Sequence, residues 1–253
     1  LSNVISSQVD LHSPYGGAVP ELASRQHVRD LVPVLEHAAA DSGLGLEDMD
    51  AIAVTYGPGL AGSLITGVNA AKAIAYSLGV PLIGVNHLEG HIYASWLAKA
   101  DLESDPGFPL ACLVASGGHT DLLLMEGHGR YKLVGRTRDD AAGEAFDKAA
   151  RILGLGFPGG PEIQRVAEGA TGEELLPRAW MKDTLDFSFS GVKTALLHMA
   201  QDCGLYPVVG EGVDQERLVR ELAAAFQESV VDVISAKLVE MAARYRVKGL
   251  VLG

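Results

Sequence analysis

The chain has 253 residues, of which 48% are hydrophobic, so it can bury a substantial core and form one large or two modest domains. Its formal charge of −12 argues against a general nucleic-acid binder, because such proteins bind largely by neutralising phosphates. The only cysteines are Cys112 and Cys203, and no apolar run approaches the ~20 residues that cross a bilayer. We therefore expect a globular, cytoplasmic protein without a disulfide framework.

The first part of the chain predicts a βαβ unit. Ser24 is a candidate N-cap for the first helix and Gly43 its stop. Parallel pairing of the two strands follows from their connection through a helix. The predicted elements are a helix over residues 24–41, a buried strand over 51–55, a second helix over 64–78 and a second strand over 80–85.

The turn before the second helix, Gly57-Pro58-Gly59-Leu60-Ala61-Gly62, matches the dinucleotide pattern G-x-G-x-x-G. That pattern also needs an acidic residue at the tip of the next strand, where this chain has Asn86 and His87. A tight turn that needs glycine for close packing is at least as good an interpretation.

Two histidines directly follow the second strand. His87 and His91 are four residues apart, so one helix face can present both imidazoles to a shared metal ion. Glu89 lies about 200° around the helix from His87, which argues against the metalloprotease pattern H-E-x-x-H. Two ligands are an incomplete site, and a pair of unligated histidines is the alternative.

The second part of the chain follows a polar stretch at residues 101–109, which predicts domains over residues 1–105 and 106–253. Short apolar runs between glycine-rich turns predict an antiparallel meander, and helices follow it. The predicted strands cover residues 110–115, 121–125, 131–135 and 250–252, and the predicted helices cover residues 140–153, 161–168, 191–202 and 216–245.

Two more glycine-rich loops, at residues 116–120 and 157–161, favour a nucleotide site, although a hairpin turn and a plain helix start would look similar. Asp147 can face ribose hydroxyls or pair with Arg151 one turn later. Lys193 lies in the first turn of a helix that Ser188 or Ser190 can cap. A cation there is unfavourable, which suggests that an anionic partner holds it.

Basic residues cluster in one stretch, where an ordinary solvated face is the simplest interpretation. The cluster consists of Arg130, Lys132, Arg136, Arg138, Lys148 and Arg151.

Eight motifs in a fixed order resemble the tRNA N6-adenosine threonylcarbamoyltransferase family, the TsaD-type proteins once labelled glycoprotein endopeptidases. The motifs are Tyr15-Gly16-Gly17, residues 19–25, Gly57-Pro58-Gly59-Leu60, His87-Leu88-Glu89-Gly90-His91, Ser116-Gly117-Gly118-His119-Thr120, residues 139–148, Pro158-Gly159-Gly160-Pro161 and Phe187-Ser188-Phe189-Ser190-Gly191.

The resemblance implies an α/β, two-lobed actin-like ATPase (ASKHA) fold of the ribonuclease H-like class. It implies transfer of the threonylcarbamoyl group from threonylcarbamoyl-AMP to the N6 amine of the adenosine beside the tRNA anticodon (position 37). The implied cofactor is one divalent metal per subunit, iron or zinc, and the implied partners are tRNA and TsaB-type and TsaE-type proteins. No catalytic residue is assigned, and no membrane partner is expected.

Carried over by motif, His87 and His91 match metal ligands, and Asp147 matches a substrate contact in preference to an Arg151 pair. The other implied substrate-binding residues are Val114, Ala115, Ser116, Gly117, Gly118 and Gly160.

The family normally opens with a further strand and continues past Gly253 into a nucleotide loop and a metal-binding aspartate. We therefore expect a fragment, truncated at both ends, with a weak two-ligand metal site. An actin-like ATPase or kinase, and a non-catalytic scaffold in the same tRNA-modifying complex, stay open as alternatives. A metalloprotease is disfavoured by the position of Glu89.

Overall fold

The computed structural model describes residues 1–97, 107–172, 176–207 and 213–253. It divides into two compact units, Leu1–His91 and Ile92–Gly253, which are described separately. Both units contain helices and strands, which confirms the predicted α/β class. The predicted domain boundary between residues 105 and 106 lies outside the described residues and stays a prediction.

The first unit contains the predicted βαβ arrangement. Strands β1 and β2 pair in parallel, with Ile52 opposite Leu82, and helix α3 connects them. The elements are α1 (Val9–His12), α2 (Pro20–Ser42), β1 (Ile52–Gly57), α3 (Ala61–Leu78), β2 (Leu82–Asn86) and the start of α4 (His87–Leu97). Short 3-10 turns cover Ser13–Tyr15 and Leu46–Asp48.

The predicted start of α2 was wrong by one turn. The helix begins at Pro20, whose fixed φ suits a first helical position. Ser24 therefore lies inside the helix, where its hydroxyl donates to the Pro20 carbonyl at 2.8 Å instead of capping. The predicted stop is confirmed, because Gly43 ends the helix in the left-handed region with φ of 69°.

Gly62, the last glycine of the 57–62 turn, lies where α3 approaches α2. A Cβ added at Gly62 would lie 2.2 Å from the Ser24 hydroxyl, so a side chain there would force the contact apart. This contact favours the close-packing interpretation of the turn over phosphate binding.

The second unit is built on a four-stranded sheet with strand order β5-β4-β3-β6. Strands β3, β4 and β5, which follow one another in this unit, form the predicted antiparallel meander. Strand β6 pairs with β3 in parallel. Their bounds are Leu110–Ala115 (β3), Thr120–Gly127 (β4), Arg130–Arg136 (β5) and Gly249–Leu252 (β6).

Four helices pack with this sheet, and their apolar faces form the core. Phe187, Phe189, Phe226 and Met241 are among its fully buried side chains. None of the helices in the described residues is long and apolar enough to span a bilayer. The helices are Ala142–Ile152 (α5), Gly159–Ala167 (α6), Ser190–Asp202 (α7) and Val213–Tyr245 (α8), within a few residues of their predicted positions.

The cysteines are both free, as expected. Cys112 is buried in β3, and burial raises the pKa of its thiol to about 12, so the thiol stays protonated and unreactive. Cys203 is exposed at the end of α7.

Candidate active site

The first predicted substrate segment is the turn between β3 and β4. The Ser116 N–H donates to the His119 carbonyl at 2.8 Å, and the Ser116 hydroxyl accepts from the His119 N–H at 3.2 Å. A Cβ added at Gly117 or Gly118 would meet no atom within 4 Å, so the backbone of this turn borders open space. Peptide groups held in this way can approach a ligand closely.

The two strand residues before this turn differ in accessibility. The Val114 side chain is fully buried, whereas Ala115 is exposed at the end of β3. Val114 therefore contributes a core contact, and the accessible part of the predicted segment begins at Ala115.

Helix α5 begins directly against this turn. The Gly143 N–H donates to the Ser116 carbonyl at 3.1 Å, and a Cβ added at Gly143 would lie 2.7 Å from that oxygen. The Thr120 hydroxyl accepts from the Ala142 N–H at 2.7 Å and fixes the same helix start. Glycine at position 143 is required by this close approach of backbone to backbone.

Asp147, one turn further along α5, faces the start of α6. Its Oδ1 accepts from the Gly159 N–H at 2.7 Å, and a Cβ added at Gly159 would lie 2.5 Å from the Asp147 Cα. A Cβ added at Gly160 would meet nothing within 4 Å. Burial, together with the Glu144 charge, raises the pKa of Asp147 despite that hydrogen bond. No ion pair joins Asp147 to Arg151 among the described residues, so the alternative pairing is not formed.

The structure thus brings three predicted segments together through α5. We call them the glycine cradle: residues 115–118, Asp147 and residues 159–160. Its exposed backbone comes from glycines, and its one carboxylate is partly desolvated. This combination suits a ligand with anionic and hydroxyl groups.

The metal candidates lie in the first unit on α4. The Asn86 side chain accepts from the Leu88 N–H at 2.9 Å and so caps the helix, which places His87 in its first turn. The His87 and His91 Nε2 atoms are 3.3 Å apart. Two nitrogen ligands of a tetrahedral ion, each about 2.0–2.1 Å from it, lie roughly 3.3–3.4 Å apart. The pair therefore fits two adjacent coordination positions, although an imidazole–imidazole hydrogen bond fits this distance too.

No group of three or more His, Cys, Asp or Glu side chains suited to a metal occurs in the described ranges. Within them, this chain offers His87 and His91 as a pair.

A carboxylate network beside the glycine cradle was not predicted as a unit. Asp139 accepts from the Ser188 and Ser190 hydroxyls at 2.5 and 2.6 Å and from the Phe189 N–H at 2.8 Å. The expectation that Ser188 or Ser190 caps α7 was wrong, because Phe189 occupies the N-cap position and no side chain makes a capping hydrogen bond there. Pairs 49 and 51 residues apart leave no periodic signal in the sequence.

Asp140 provides the anionic partner that was expected for Lys193. Its two oxygens accept from Lys193 Nζ at 2.5 Å and from Lys148 Nζ at 2.6 Å. The cation at the start of α7 is thus held by a side chain of this chain, on the loop that leads into α5.

Two members of the basic cluster form ion pairs. Arg138 pairs with Asp186, and Lys148 pairs with Asp140 and Glu144. Of the others, Arg130, Lys132, Arg136 and Arg151 are exposed.

Acid should weaken the carboxylate network. Burial opposes ionisation of Asp139, but its hydrogen bonds with Ser188, Ser190 and Phe189 outweigh burial and lower its pKa. A lowered pKa gives stability that is present above the unfolded value of about 3.9 and is lost as pH falls through the folded value. We expect Asp139→Asn to flatten the loss of unfolding free energy below about pH 4, measured by urea unfolding at several pH values.

Asp41→Asn, at an exposed position near the end of α2, is the matched control. An acid dependence in Asp139→Asn as steep as in the wild type would contradict this prediction.

The family model and the curated relatives agree with one another. A family model described as TsaD, tRNA N6-adenosine threonylcarbamoyltransferase, matches residues 1–253. The curated protein of that name from Dehalococcoides mccartyi is 55% identical over 252 residues, which cover 100% of this chain and 73% of the relative. The protein of the same name from Thermomicrobium roseum is 55% identical over 260 residues, which cover 97% of this chain and 71% of the relative. The protein of the same name from Geobacillus kaustophilus is 49% identical over 253 residues, which cover 100% of this chain and 70% of the relative.

Among solved structures, YeaZ from Pseudomonas aeruginosa aligns with 42% of this chain and 50% of its own, at 18% identity and a TM-score of 0.32. A TM-score this low supports no conclusion. The family match and the two α/β units confirm the predicted two-lobed actin-like fold class. The match over all 253 residues and identities of 49–55% show that the chain belongs to the TsaD family of tRNA N6-adenosine threonylcarbamoyltransferases and is a transferase by class.

Proposed function

We propose that the chain transfers the threonylcarbamoyl group from threonylcarbamoyl-AMP to the N6 amine of the adenosine beside the tRNA anticodon. The observation that carries the proposal is the glycine cradle, which presents open glycine backbone beside a partly desolvated carboxylate in a chain of the TsaD family.

The adenylate would bind along the glycine cradle. Gly117, Gly118 and Gly160 leave room for the phosphate and acyl groups, and the start of α6 adds the positive end of a helix dipole. Asp147 already uses Oδ1 to hold Gly159, so its Oδ2 would accept from a ribose hydroxyl. Ala115 and Ser116 complete the contact surface, and Val114 supports it from the core.

The reaction is acyl transfer. The adenine N6 nitrogen forms a bond to the carbamoyl carbon, the bond from that carbon to the phosphate oxygen breaks, and AMP leaves while the amine loses a proton. This chain's residues contribute binding and orientation, which can supply a large part of such a rate enhancement. No side chain is assigned as general base.

The cofactor is proposed as one divalent metal, iron or zinc. His87 and His91 would hold it through their Nε2 atoms, whose spacing fits two nitrogen ligands. When bound, such a metal supplies Lewis-acid polarisation of a carbonyl group.

The partners are proposed as tRNA and TsaB-type and TsaE-type proteins. A formal charge of −12 makes tRNA capture by this chain alone inefficient, so partner subunits would share it. A tRNA substrate makes the cytoplasm the proposed location.

Local tRNA contact is expected at β5. Reversing the charges of both Arg136 and Arg138 would also break the Arg138–Asp186 ion pair. Arg136→Glu alone changes the surface charge without breaking that pair, so it is the variant to test. We expect it to weaken tRNA binding about tenfold and to reduce the salt dependence by about one phosphate contact. Filter binding over a range of salt concentrations measures both. Arg29→Glu, at an exposed position of α2, is the control, and equal affinities of Arg136→Glu and wild type would remove β5 from the interface.

A direct assay tests the function. The chain is incubated with zinc or iron(II), TsaB-type and TsaE-type proteins, unmodified tRNA and threonylcarbamoyl-AMP that carries isotope-labelled threonine. The digested nucleosides are then analysed by mass spectrometry. We expect labelled threonylcarbamoyladenosine, and none from tRNA whose target adenosine is replaced by guanosine. In a parallel incubation with ATP, ADP production by a chain that leaves no label in tRNA would instead support an ATPase or kinase, and partner binding without turnover would support a scaffold.

A further inference from the structure

An exposed tryptophan lies in the segment that leads to α7. Trp180 is 52% exposed, and it is the exposed large hydrophobic side chain of residues 176–187. An exposed indole ring of this kind is free to contact a ligand.

The backbone of this segment is fixed by side chains of α8. The Ser229 hydroxyl donates to the Leu176 carbonyl at 3.1 Å, and Arg178 Nε donates to Asp232 Oδ2 at 2.8 Å. The Trp180 N–H in turn donates to the Arg178 carbonyl at 2.9 Å. The indole is thus presented from a backbone whose position is set on its N-terminal side.

A buried lysine fixes the other side. Lys237 is only 3% exposed, and its ammonium group donates to the Met181 carbonyl at 3.0 Å and to the Thr184 carbonyl. Between these two carbonyls, Asp183 adopts a left-handed conformation with φ of 59°. Burying an ammonium group is costly unless it is hydrogen-bonded. Its two bonds to loop carbonyls therefore hold the backbone of this turn in one conformation.

The segment then joins the strand that carries the exposed basic residues. The Phe187 N–H donates to the Arg136 carbonyl at 2.9 Å, and Asp186 accepts from the Arg136 N–H at 2.9 Å. Trp180 precedes Asp186 by six residues, so their backbones lie at most roughly 20 Å apart. The exposed basic side chains of β5 include Arg130, Lys132 and Arg136.

We propose that Trp180 is a stacking platform for an unpaired base of the RNA substrate, with Arg136 of β5 contacting the adjacent phosphates. This inference rests on the proposed function, since it names a contact to the same tRNA. Aromatic rings bind single-stranded RNA by stacking, which tolerates any base, while basic side chains follow the backbone. An exposed indole on a hydrogen-bonded segment that joins a basic strand provides both parts.

The test uses the full chain and a fluorescently labelled RNA hairpin with the sequence of the anticodon arm. We expect Trp180→Ala to weaken binding about tenfold to a hundredfold, as base stacking does, and Trp180→Phe to stay within about threefold of wild type. The salt dependence should be unchanged in Trp180→Ala, because no phosphate contact is lost, and reduced in Arg136→Glu. Tyr76→Ala, which removes an aromatic side chain that is 91% exposed in the first unit, is the matched control.

Unchanged binding by Trp180→Ala would overturn the inference and leave the proposed function intact, as would a loss confined to binding of a protein partner. Equal losses in Trp180→Ala and Trp180→Phe, with lowered unfolding midpoints, would show a structural role and also overturn it. Failure of the wild-type chain to bind the hairpin and to modify tRNA would count against the proposed function itself.

Discussion

Replacing His87 and His91 together by alanine is expected to abolish metal binding by the chain and to lower threonylcarbamoyl transfer by at least about a hundredfold. Loss of groups that merely orient a metal ligand already costs 10- to 100-fold in affinity or activity, so loss of both ligands should cost at least as much. The two Nε2 atoms lie 3.3 Å apart on the capped helix α4, and in the described residues they are the nitrogen pair that would coordinate the metal. Isothermal titration with zinc or iron(II), beside the transfer assay, measures both effects.

The matched control is His198→Ala, which removes an exposed imidazole from α7. It should leave metal affinity and transfer unchanged. If the double variant bound metal and modified tRNA as the wild type does, the histidines would be a hydrogen-bonded pair and not a metal site.

The same substitution at two adjacent glycines of the glycine cradle should weaken ligand binding in both cases but lower the stability in only one of them. Gly159→Ala places a methyl group 2.5 Å from both the Asp147 Cα and the Phe146 carbonyl, so α6 must move away from α5. Overpacking of this kind costs about 1–3 kcal/mol, which lowers the unfolding midpoint by about 3–10 °C for a chain of this size. Adenylate binding should weaken as well, because the Gly159 N–H no longer holds Asp147.

Gly160→Ala adds its methyl group to open space. We expect its unfolding midpoint to stay within about 2 °C of wild type, while AMP affinity falls about tenfold because the methyl group occupies ligand space. Thermal unfolding and AMP titration of the two variants separate packing from binding. A Gly160→Ala variant with normal AMP affinity would exclude this glycine from the site.

Local patterns predicted most of the secondary structure, because each element is marked by neighbouring residues. The apolar runs around Ile52 and Leu82 predicted parallel pairing through a helix, and the runs around Cys112 and Leu123 predicted the meander. The four-residue spacing of His87 and His91 predicted a shared helix face, and Gly43 predicted a helix end. These features depend on distances along the chain of a few residues.

Polar contacts between distant segments could not be predicted. Ser24 has the residue type of a helix cap, but Pro20 starts the helix earlier and Ser24 then bonds within it. Ser188 and Ser190 have the same residue type, but Asp139 takes both hydroxyls. The anionic partner of Lys193 was expected on electrostatic grounds, yet its identity required the fold.

The glycine motifs show the same limit. Gly62, Gly143 and Gly159 are places where a Cβ would collide with a neighbouring segment, whereas Gly117 and Gly160 border open space. Sequence cannot distinguish these two uses of glycine, because both give the same letter at a turn or helix start. The distinction is what locates the open face of the glycine cradle.

The most direct test is to map AMP binding on the backbone amides of this chain by nuclear magnetic resonance with nitrogen-15 labelling. Binding of adenylate to the glycine cradle predicts that the largest shifts occur at Gly117, Gly118 and Gly160. Saturable AMP binding that leaves these amides unmoved, and instead shifts Gly59 and Gly62 of the turn before α3, would contradict the proposed site.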